Sequence, residues 1–290
     1  MRKSLLITAY FGNLPYYHSL WEKSALMNSS INWLVFTDQK NLENKRNIKY
    51  EQIEFEDLNN LIKNKFDKDC SIKNPYKVCD LRPIFPIIFE DYIKGYEYWG
   101  HCDLDIIWGD IKKFLSFDSG KVWSSDIISA DRRRICGPFT LFKKCQKTKL
   151  IFESIPNYKK RLNLEEACIL DELEFNPVRE KNRSQDTLEV ENFNIFCGHQ
   201  INNKFIYLQR YSSSRVPAYW SLGKLYVEKY FKEVVAQQND FCGFGSETMF
   251  LHVRPWHYVD IRRNSIHSKE ENKEIKVAWM KEQEKIKKAK

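Results

Sequence analysis

The apolar positions in the first part of the chain form short continuous runs that polar segments separate. Residues 5–10 and 32–38 have the length of buried strands, and residues 48–55 alternate as a third strand. A helix-like pattern covers residues 20–26 between the first two. Strands that alternate with helical patterns predict an α/β fold with a mostly parallel central sheet flanked by helices.

Two of these strands end in side chains that can bind a ligand. Tyr10 and Phe11 end the first, just before the turn cluster of residues 12–15, and Thr37 and Asp38 end the second. Parallel sheets bind their ligands at the carboxyl ends of the strands. These residues are therefore candidates for the lining of a ligand site.

Residues 98–111 predict a further strand, followed by a turn, a glycine and the start of a helix. Asp103 and Asp105 lie at the end of this strand and share one face if the chain is extended. Two like charges on one face repel, and Mg²⁺ or Mn²⁺ would relieve that repulsion. The alternative is a pair that only solvates a loop, but apolar and aromatic neighbours on both sides favour a metal site.

Residues 75–95 predict a helix whose prolines lie in its first turn or before it and whose cap is Gly95. Lys77, Asp80 and Arg82 cluster near its start, where free backbone N–H groups favour anions. A solvated helix end is the alternative interpretation of these three charges. Their position just before the Asp103 strand favours a binding role.

The pattern continues with strands at 126–130 and 137–142 and with a helical segment over 147–175. In that segment Asp171 and Glu172 stand between leucines, where a carboxylate can act as a general base or can cap a helix. Further along, the sequence predicts a hairpin of 190–197 with 204–211, a helix within 216–235 and a last core strand over 249–257.

Composition and charge limit the classes of partner. The net charge is +8, with 47 basic and 39 acidic residues, which suits an anionic substrate or a membrane surface and is too dilute to indicate nucleic acid. The eight cysteines include no Cys-x-x-Cys pair, as expected of free thiols in a reducing compartment. No apolar run reaches the length of about 18 residues that a membrane span needs. We therefore expect a cytoplasmic protein.

The expected domain organisation is one domain over 1–265 and a basic helical tail over 266–290. The tail opens with the capping-box pattern that starts at Ser268, and it carries acidic residues early and lysines late. Its apolar seam is thin. Packing on the domain and peripheral contact with an anionic membrane, at the inner face of the cell membrane, are both compatible with this pattern.

Two strings together resemble a known family. Lys77-x-x-Asp-x-Arg-Pro83 is followed by Trp99-Gly-x-x-Asp-x-Asp-x-x-x-Gly-Asp-Ile111. This order is similar to that of bacterial glycosyltransferases of the GT-A fold, those of lipopolysaccharide or capsule assembly, and more distantly to the glycogenin and galactosyltransferase family. The resemblance covers residues 4–145 well and the remainder weakly. It implies a GT-A-like, Rossmann-like domain that transfers a sugar from a nucleotide-diphosphate sugar, with UDP-sugars favoured, to a glycan or glycolipid.

The resemblance also implies roles for individual residues. Asp103 and Asp105 would hold Mn²⁺ or Mg²⁺ against the diphosphate, and His252 would complete the metal site. The spacing from His252 to Trp256 is shorter than is usual in the wider family, so His257 competes for the same role. The donor would contact Tyr10, Phe11 and Asp38 through its nucleoside, and Lys77, Asp80, Arg82 and Asp103 through its diphosphate or sugar.

The chemistry leaves two questions open. An inverting enzyme needs a base for the acceptor hydroxyl, for which Asp171 or Glu172 is the candidate, whereas a retaining enzyme does not need it there. One alternative function is a phosphatase or phosphotransferase with Asp103 as nucleophile and Asp105 as acid. Another is a non-catalytic carbohydrate-binding protein on a transferase fold.

Overall fold

The computed structural model describes residues 3–15, 18–116, 119–130, 135–172 and 193–194, and also the backbone of eight short strands between 174 and 261. It divides the chain into two compact units. The first consists of Met1–Leu14, Ser30–Asp103 and Ser119–Cys197, and the second of Pro15–Ser29, Leu104–Asp118 and Gly198–Lys290. The sequence did not predict this division, and the predicted tail lies outside the described residues.

The elements are numbered in chain order. The strands are β1 (Ser4–Tyr10), β2 (Ile31–Thr37), β3 (Ile48–Gln52), β4 (Tyr98–Cys102), β5 (Ile106–Trp108), β6 (Ile127–Ser129), β7 (Phe139–Lys143), β8 (Glu174–Phe175), β9 (Thr187–Leu188), β10 (Ile195–Cys197), β11 (Ala218–Ser221), β12 (Lys224–Val227), β13 (Ser246–Thr248), β14 (Phe250–His252) and β15 (Val259–Ile261). The helices are α1 (His18–Leu26), α2 (Phe55–Lys65), α3 (Phe85–Ile88), α4 (Glu90–Ile93), α5 (Ile111–Leu115), α6 (Ser119–Ser124), α7 (Gln146–Lys149) and α8 (Tyr158–Leu162), with 3-10 helices at Pro75–Ile84 and Ile151–Ser154.

The first unit is built on a seven-stranded sheet of order β10-β6-β7-β4-β1-β2-β3. Strand β7 runs antiparallel to both of its neighbours, and the other four pairings are parallel. Leu5, Leu6 and Ile7 of β1 are all buried, which is expected of a strand covered on both faces. The predicted α/β class with a mostly parallel, Rossmann-like sheet and flanking helices is confirmed.

Aromatic side chains hold the helices and the sheet of this unit together. Phe36 of β2 stacks on Phe89 with ring centroids 4.1 Å apart, and Trp99 of β4 stacks on Phe142 of β7 at 4.4 Å. Gly100 permits the close approach of β4 to β7, because a Cβ atom there would lie 2.1 Å from the carbonyl oxygen of Thr140. The core therefore fixes the strand that carries Asp103 at its end.

In the second unit, α1 contacts the segment that follows Leu104. The side-chain amide of Asn28 donates to the carbonyl of Gly109, and its oxygen accepts from the amide of Ile111, both at 2.8 Å. Strand β5 pairs antiparallel with β14, and a separate sheet has the order β13-β12-β11-β15. The backbone after Asp105 is thus held by both a helix and a strand.

One helix prediction was wrong, and a second holds only with a change of helix type. The segment 147–175 is not one helix, because its chain passes through Pro156 and then Asn157 in the left-handed conformation, with φ of 55°. In the region 216–235, where a helix is predicted, residues 218–221 and 224–227 form the antiparallel pair β11–β12, and residues 228–235 lie outside the described part of the chain. The helix predicted over 75–95 is a 3-10 helix followed by two short α-helices, because Pro83 and Pro86 interrupt the ladder of hydrogen bonds.

The predicted pairing of 190–197 with 204–211 stays a prediction. Strand β10 pairs parallel with β6, and residues 204–211 lie outside the described part of the chain. Within that described part, no helix combines the length and the apolar character needed to cross a membrane.

Candidate active site

Three neighbouring parallel strands of the first unit end in the predicted ligand residues. In the sheet β4 lies beside β1, and β1 lies beside β2. Their carboxyl ends are followed by Asp103, by Phe11 and by Asp38, and Tyr10 is the last residue of β1. The structure therefore brings Tyr10, Phe11, Asp38 and Asp103 to one edge of the sheet, where ligands of open parallel sheets bind.

Asp38 shapes the turn that leaves β1. Its two carboxylate oxygens accept from the amide of Gly12 at 3.0 and 3.1 Å. Gly12 has a φ of +96°, which an L side chain adopts only with strain, so a glycine belongs here. Phe11 packs edge-on against Phe55 with ring centroids 5.4 Å apart. The Asp38 side chain thus links the turn after β1 to the end of β2.

Arg82 connects two carboxylates of the first unit. Its Nη1 atom donates to Asp171 Oδ2 at 2.5 Å and to the carbonyl of Gly137 at 3.0 Å, and its Nη2 atom donates to Asp103 Oδ1. The exposed fraction is 13% for the Arg82 side chain, 23% for Asp103 and 3% for Asp171. We call these three side chains the arginine cluster. It is open to solvent on the side of Asp103 and closed at Asp171.

Burial dominates the electrostatics at Asp171. It raises the pKa of Asp171 to about 7, although the charge of Arg82 opposes this and favours the carboxylate. Burial lowers the pKa of Arg82, but the carboxylates of Asp103 and Asp171 outweigh it and raise that pKa above its ordinary value. Arg82 is therefore a cation beside a carboxyl group that titrates near neutrality. The Oδ1 atom of Asp171 is buried and has no hydrogen-bond partner among the described residues.

Gly137 leaves room for this cluster. A Cβ atom at this position would lie 3.0 Å from Arg82 Nη1 and 3.1 Å from both Asp171 Oδ2 and Glu172 Oε1. The carboxylates of Glu172 and Asp171 therefore both lie close to Gly137. The structure brings both predicted bases next to Arg82.

Lys77 and Asp80 form a second ionic cluster on the same 3-10 helix. Their side chains are completely buried, and Lys77 Nζ lies 2.8 Å from Asp80 Oδ2. The ammonium also donates to the carbonyls of Arg161 at 3.2 Å and Glu166 at 2.9 Å, so three acceptors match its three donors. Contact of this pair with a donor substrate stays a prediction, and the geometry favours a supporting role.

Asp80 binds the backbone that leads to Asp171. Its Oδ2 atom accepts from the amide of Cys168 at 2.9 Å, and its Oδ1 atom accepts from the amide of Leu170 at 2.8 Å. Ile169 between them has a φ of 53°, a conformation that costs a β-branched residue about 1–3 kcal/mol. Sequence reasoning missed this role. The spacing of Lys77, Asp80 and Arg82 was visible, but the segment that they bind was not.

One further group of residues has ligand atoms close together. Those of Cys79, Asp80 and Asp171 lie within 4.8 Å of one another. Burial raises the pKa of the Cys79 thiol to about 12, whereas a metal binds the thiolate. Both oxygens of Asp80 are already hydrogen-bonded. This group does not fit a metal ion.

A metal site of Asp103, Asp105 and His252 stays a prediction. In the second unit β14 pairs with β5 so that His252 lies opposite Ile106, the residue after Asp105. Asp103 is separated from Asp105 by Leu104 alone. Carboxylates and imidazole are ligand types that suit Mn²⁺, and carboxylates alone suit Mg²⁺. His257 lies outside the described residues.

Comparison with known proteins gives a family and no activity. One family model matches residues 6–285, nearly the whole chain. The chain belongs to DUF6625, a family of unknown function. No curated protein and no solved structure matches it significantly. The DUF6625 assignment therefore leaves the function to be argued from the site.

Proposed function

We propose that this DUF6625 protein is a metal-dependent glycosyltransferase. It moves a sugar from a nucleotide-diphosphate sugar to a glycan or glycolipid acceptor. One observation carries the proposal: the carboxyl ends of β4, β1 and β2 present Asp103, the pair Tyr10 and Phe11, and Asp38 along a single edge. Aromatic rings and a carboxylate suit a nucleoside, and a carboxylate that binds a cation suits the diphosphate beside it.

Asp103 and Asp105 are the proposed ligands of Mn²⁺ or Mg²⁺, with His252 as a third. When bound, the cation stabilises the negative charge that develops on the departing diphosphate. Arg82 adds a positive charge that its contact with Asp103 keeps at the same place. Asp38 orients the nucleoside through the turn that it fixes at Gly12.

Asp171 is the proposed base for an inverting reaction. It takes the proton of the acceptor hydroxyl as that oxygen bonds to the anomeric carbon and the carbon–diphosphate bond breaks, with the electron pair passing to the diphosphate. A base works best when its pKa lies near the operating pH, and burial raises the pKa of Asp171 to about 7. Glu172 is the alternative base, and in a retaining reaction neither has this role.

The acceptor belongs by this proposal to bacterial surface polysaccharide synthesis, at the cytoplasmic face of the membrane. The resemblance of the Lys77–Pro83 and Trp99–Ile111 strings supports it, and the net charge of +8 suits an anionic surface.

The test is the release of nucleoside diphosphate from UDP-, GDP- and CDP-sugars, each with Mn²⁺ and with EDTA, in the presence of glycan acceptors. We expect metal-dependent release from one donor, and its loss in Asp103→Asn. The exposed Asp91→Asn is the matched control and should keep full activity. Release of phosphate from p-nitrophenyl phosphate that depends on Asp103, with no donor turnover, would overturn the proposal in favour of the phosphatase.

A further inference from the structure

The segment before Asp171 is held in place by a carboxylate from a different element. We propose that Asp80, neutralised by Lys77, is a positioning residue that binds the backbone on both sides of Ile169 and thereby presents Asp171 to Arg82. This inference rests on the proposed function only in assigning Asp171 a part in transfer. Its structural content concerns the described residues of the first unit alone.

Asp80 uses both of its oxygens for this. Oδ1 accepts from the amide of Leu170, and Oδ2 accepts from the amide of Cys168 and from Lys77 Nζ. Two amides on either side of a left-handed residue form a concave backbone site that binds anions. Here the anion is a side chain of the same protein. We call Cys168–Leu170 the Asp80 nest.

The strained residue shows that the nest depends on Asp80. Ile169 has a φ of 53°, where a β-branched side chain is rare, and its side chain is 55% exposed. An exposed isoleucine has little packing with which to hold such a conformation. The two hydrogen bonds to Asp80 stabilise it instead, and a third, from the amide of Glu172 to the carbonyl of Ile169 at 3.3 Å, closes the turn.

Lys77 holds the chain segment that leads to the Asp80 nest. It pairs with Asp80 and donates to the carbonyls of Arg161 and Glu166, which precede Cys168 in the chain. Tyr158 adds a hydrogen bond of 2.6 Å to the carbonyl of Asp80. Leu170 is therefore anchored, and Asp171, its neighbour, meets Arg82. Loss of the nest should displace Asp171 from Arg82 and leave Arg82 with Asp103 and the carbonyl of Gly137.

The test is hydrogen exchange of the Cys168 and Leu170 amides in the full chain. Asparagine has one acceptor oxygen where Asp80 uses two, so in Asp80→Asn we expect exchange of these amides to be about 10- to 100-fold faster. Adding Ile169→Gly should restore part of the protection, because glycine adopts the left-handed conformation without strain. Adding Leu164→Gly, on the same segment and half exposed, should restore none. Unchanged exchange in Asp80→Asn, or equal rescue by both glycines, would overturn the proposal.

If Asp80→Asn does not fold, single variants give the answer. At position 169 we expect glycine to give slower exchange of the two amides than alanine, because only alanine keeps the Cβ penalty. At position 164 we expect glycine to give exchange of the two amides that is as fast as with alanine or faster. Equal or better protection with alanine at 169 would show that the turn is not strained in solution and would overturn the proposal.

Kinetics separate this inference from the proposed function. With an identified donor, Asp80→Asn should lower kcat and leave the donor KM within about twofold of the wild type, and Ile169→Gly should recover part of kcat. The expected exchange result in a protein that turns over no donor would support the nest and count against the glycosyltransferase. Active transfer with unchanged exchange would overturn the nest alone.

Discussion

The 3-10 helix at Pro75–Ile84 carries two ionic clusters that differ in exposure. Lys77 and Asp80 are completely buried, and their donors and acceptors are matched by backbone groups. Arg82 follows Asp80 after a single residue, and Asp103, which it contacts, is 23% exposed. Asp171, its other partner, has an oxygen without a partner among the described residues.

The difference in exposure and pairing suggests different roles for the charged residues of this one 3-10 helix. A buried pair with every hydrogen bond made loses several contacts when it binds anything else. A cluster that is open on one side and incompletely paired can exchange a contact for a ligand. We therefore propose that Lys77 and Asp80 support the structure and that Arg82, Asp103 and Asp171 take part in substrate chemistry.

The largest expected effect is the loss of stability when the buried pair of Lys77 and Asp80 is broken. Lys77→Met leaves the Asp80 carboxylate buried without its cation, and we expect the free energy of unfolding to fall by about 3–5 kcal/mol. Urea denaturation measures it. Lys94→Met is the matched control, since Lys94 also pairs with an aspartate three residues away but is 71% exposed. Similar small losses in both variants would contradict the comparison.

At the arginine cluster we expect the large effect to be on activity. Asp103→Asn and Asp105→Asn each remove a proposed ligand of the cation, and we expect transfer to fall by about 100-fold or more. The urea midpoint should stay close to that of the wild type, because Asp103 is partly exposed. Normal transfer, or failure of either variant to fold, would show that these carboxylates have a structural role.

A pH effect distinguishes Asp171 from an ordinary surface carboxylate. Burial raises the pKa of Asp171 to about 7, so between the ordinary aspartate value of 3.8 and about 7 the folded protein binds a proton that the unfolded chain has released. The stability of the wild type relative to Asp171→Asn should therefore fall as the pH rises through this range and stay constant above it. Urea denaturation from pH 4 to pH 8 tests this. A rise over the same range would show that the charge of Arg82 outweighs burial.

The smallest expected effect comes from added bulk at Gly137. In Gly137→Ala the new Cβ would lie about 3 Å from the ends of the Arg82, Asp171 and Glu172 side chains, which must shift by a few tenths of an ångström. We expect a stability loss of about 1 kcal/mol with a larger proportional loss of transfer. Gly120→Ala is the control, since nothing lies near its Cβ and it is helical, so it should gain stability. Equal behaviour of the two variants would place Gly137 outside the site.

The strands of the sheet could be predicted well because buried parallel strands consist of continuous apolar runs in the sequence. Residues 5–10 and 32–38 differ from β1 and β2 by a single residue at their ends. The prediction was weaker where helices are short. The segment around Pro156 and Asn157 breaks into pieces because local backbone conformation outweighs the apolar spacing.

The candidate site was predictable in part for the same reason. Positions at strand ends follow from the strands, so Tyr10, Asp38 and Asp103 were found. The contacts of Arg82 with Gly137 and Asp171, and of Asp80 with Cys168, were not predicted, because these residues lie 55 or more positions apart in the chain. Only tertiary packing brings a carboxylate at 171 to an arginine at 82.

The most direct test of the central claim is ligand binding at the carboxyl ends of β4, β1 and β2. The melting temperatures of the wild type and Asp103→Asn would be measured with UDP, GDP, CDP and their sugar conjugates, each with and without Mn²⁺. A ligand that binds only the folded state at about 100 times its Kd stabilises it by about 2.7 kcal/mol. The account predicts a rise in melting temperature that needs both Mn²⁺ and one nucleotide and is absent in Asp103→Asn. No rise with any nucleotide, or an equal rise in both proteins, would contradict it.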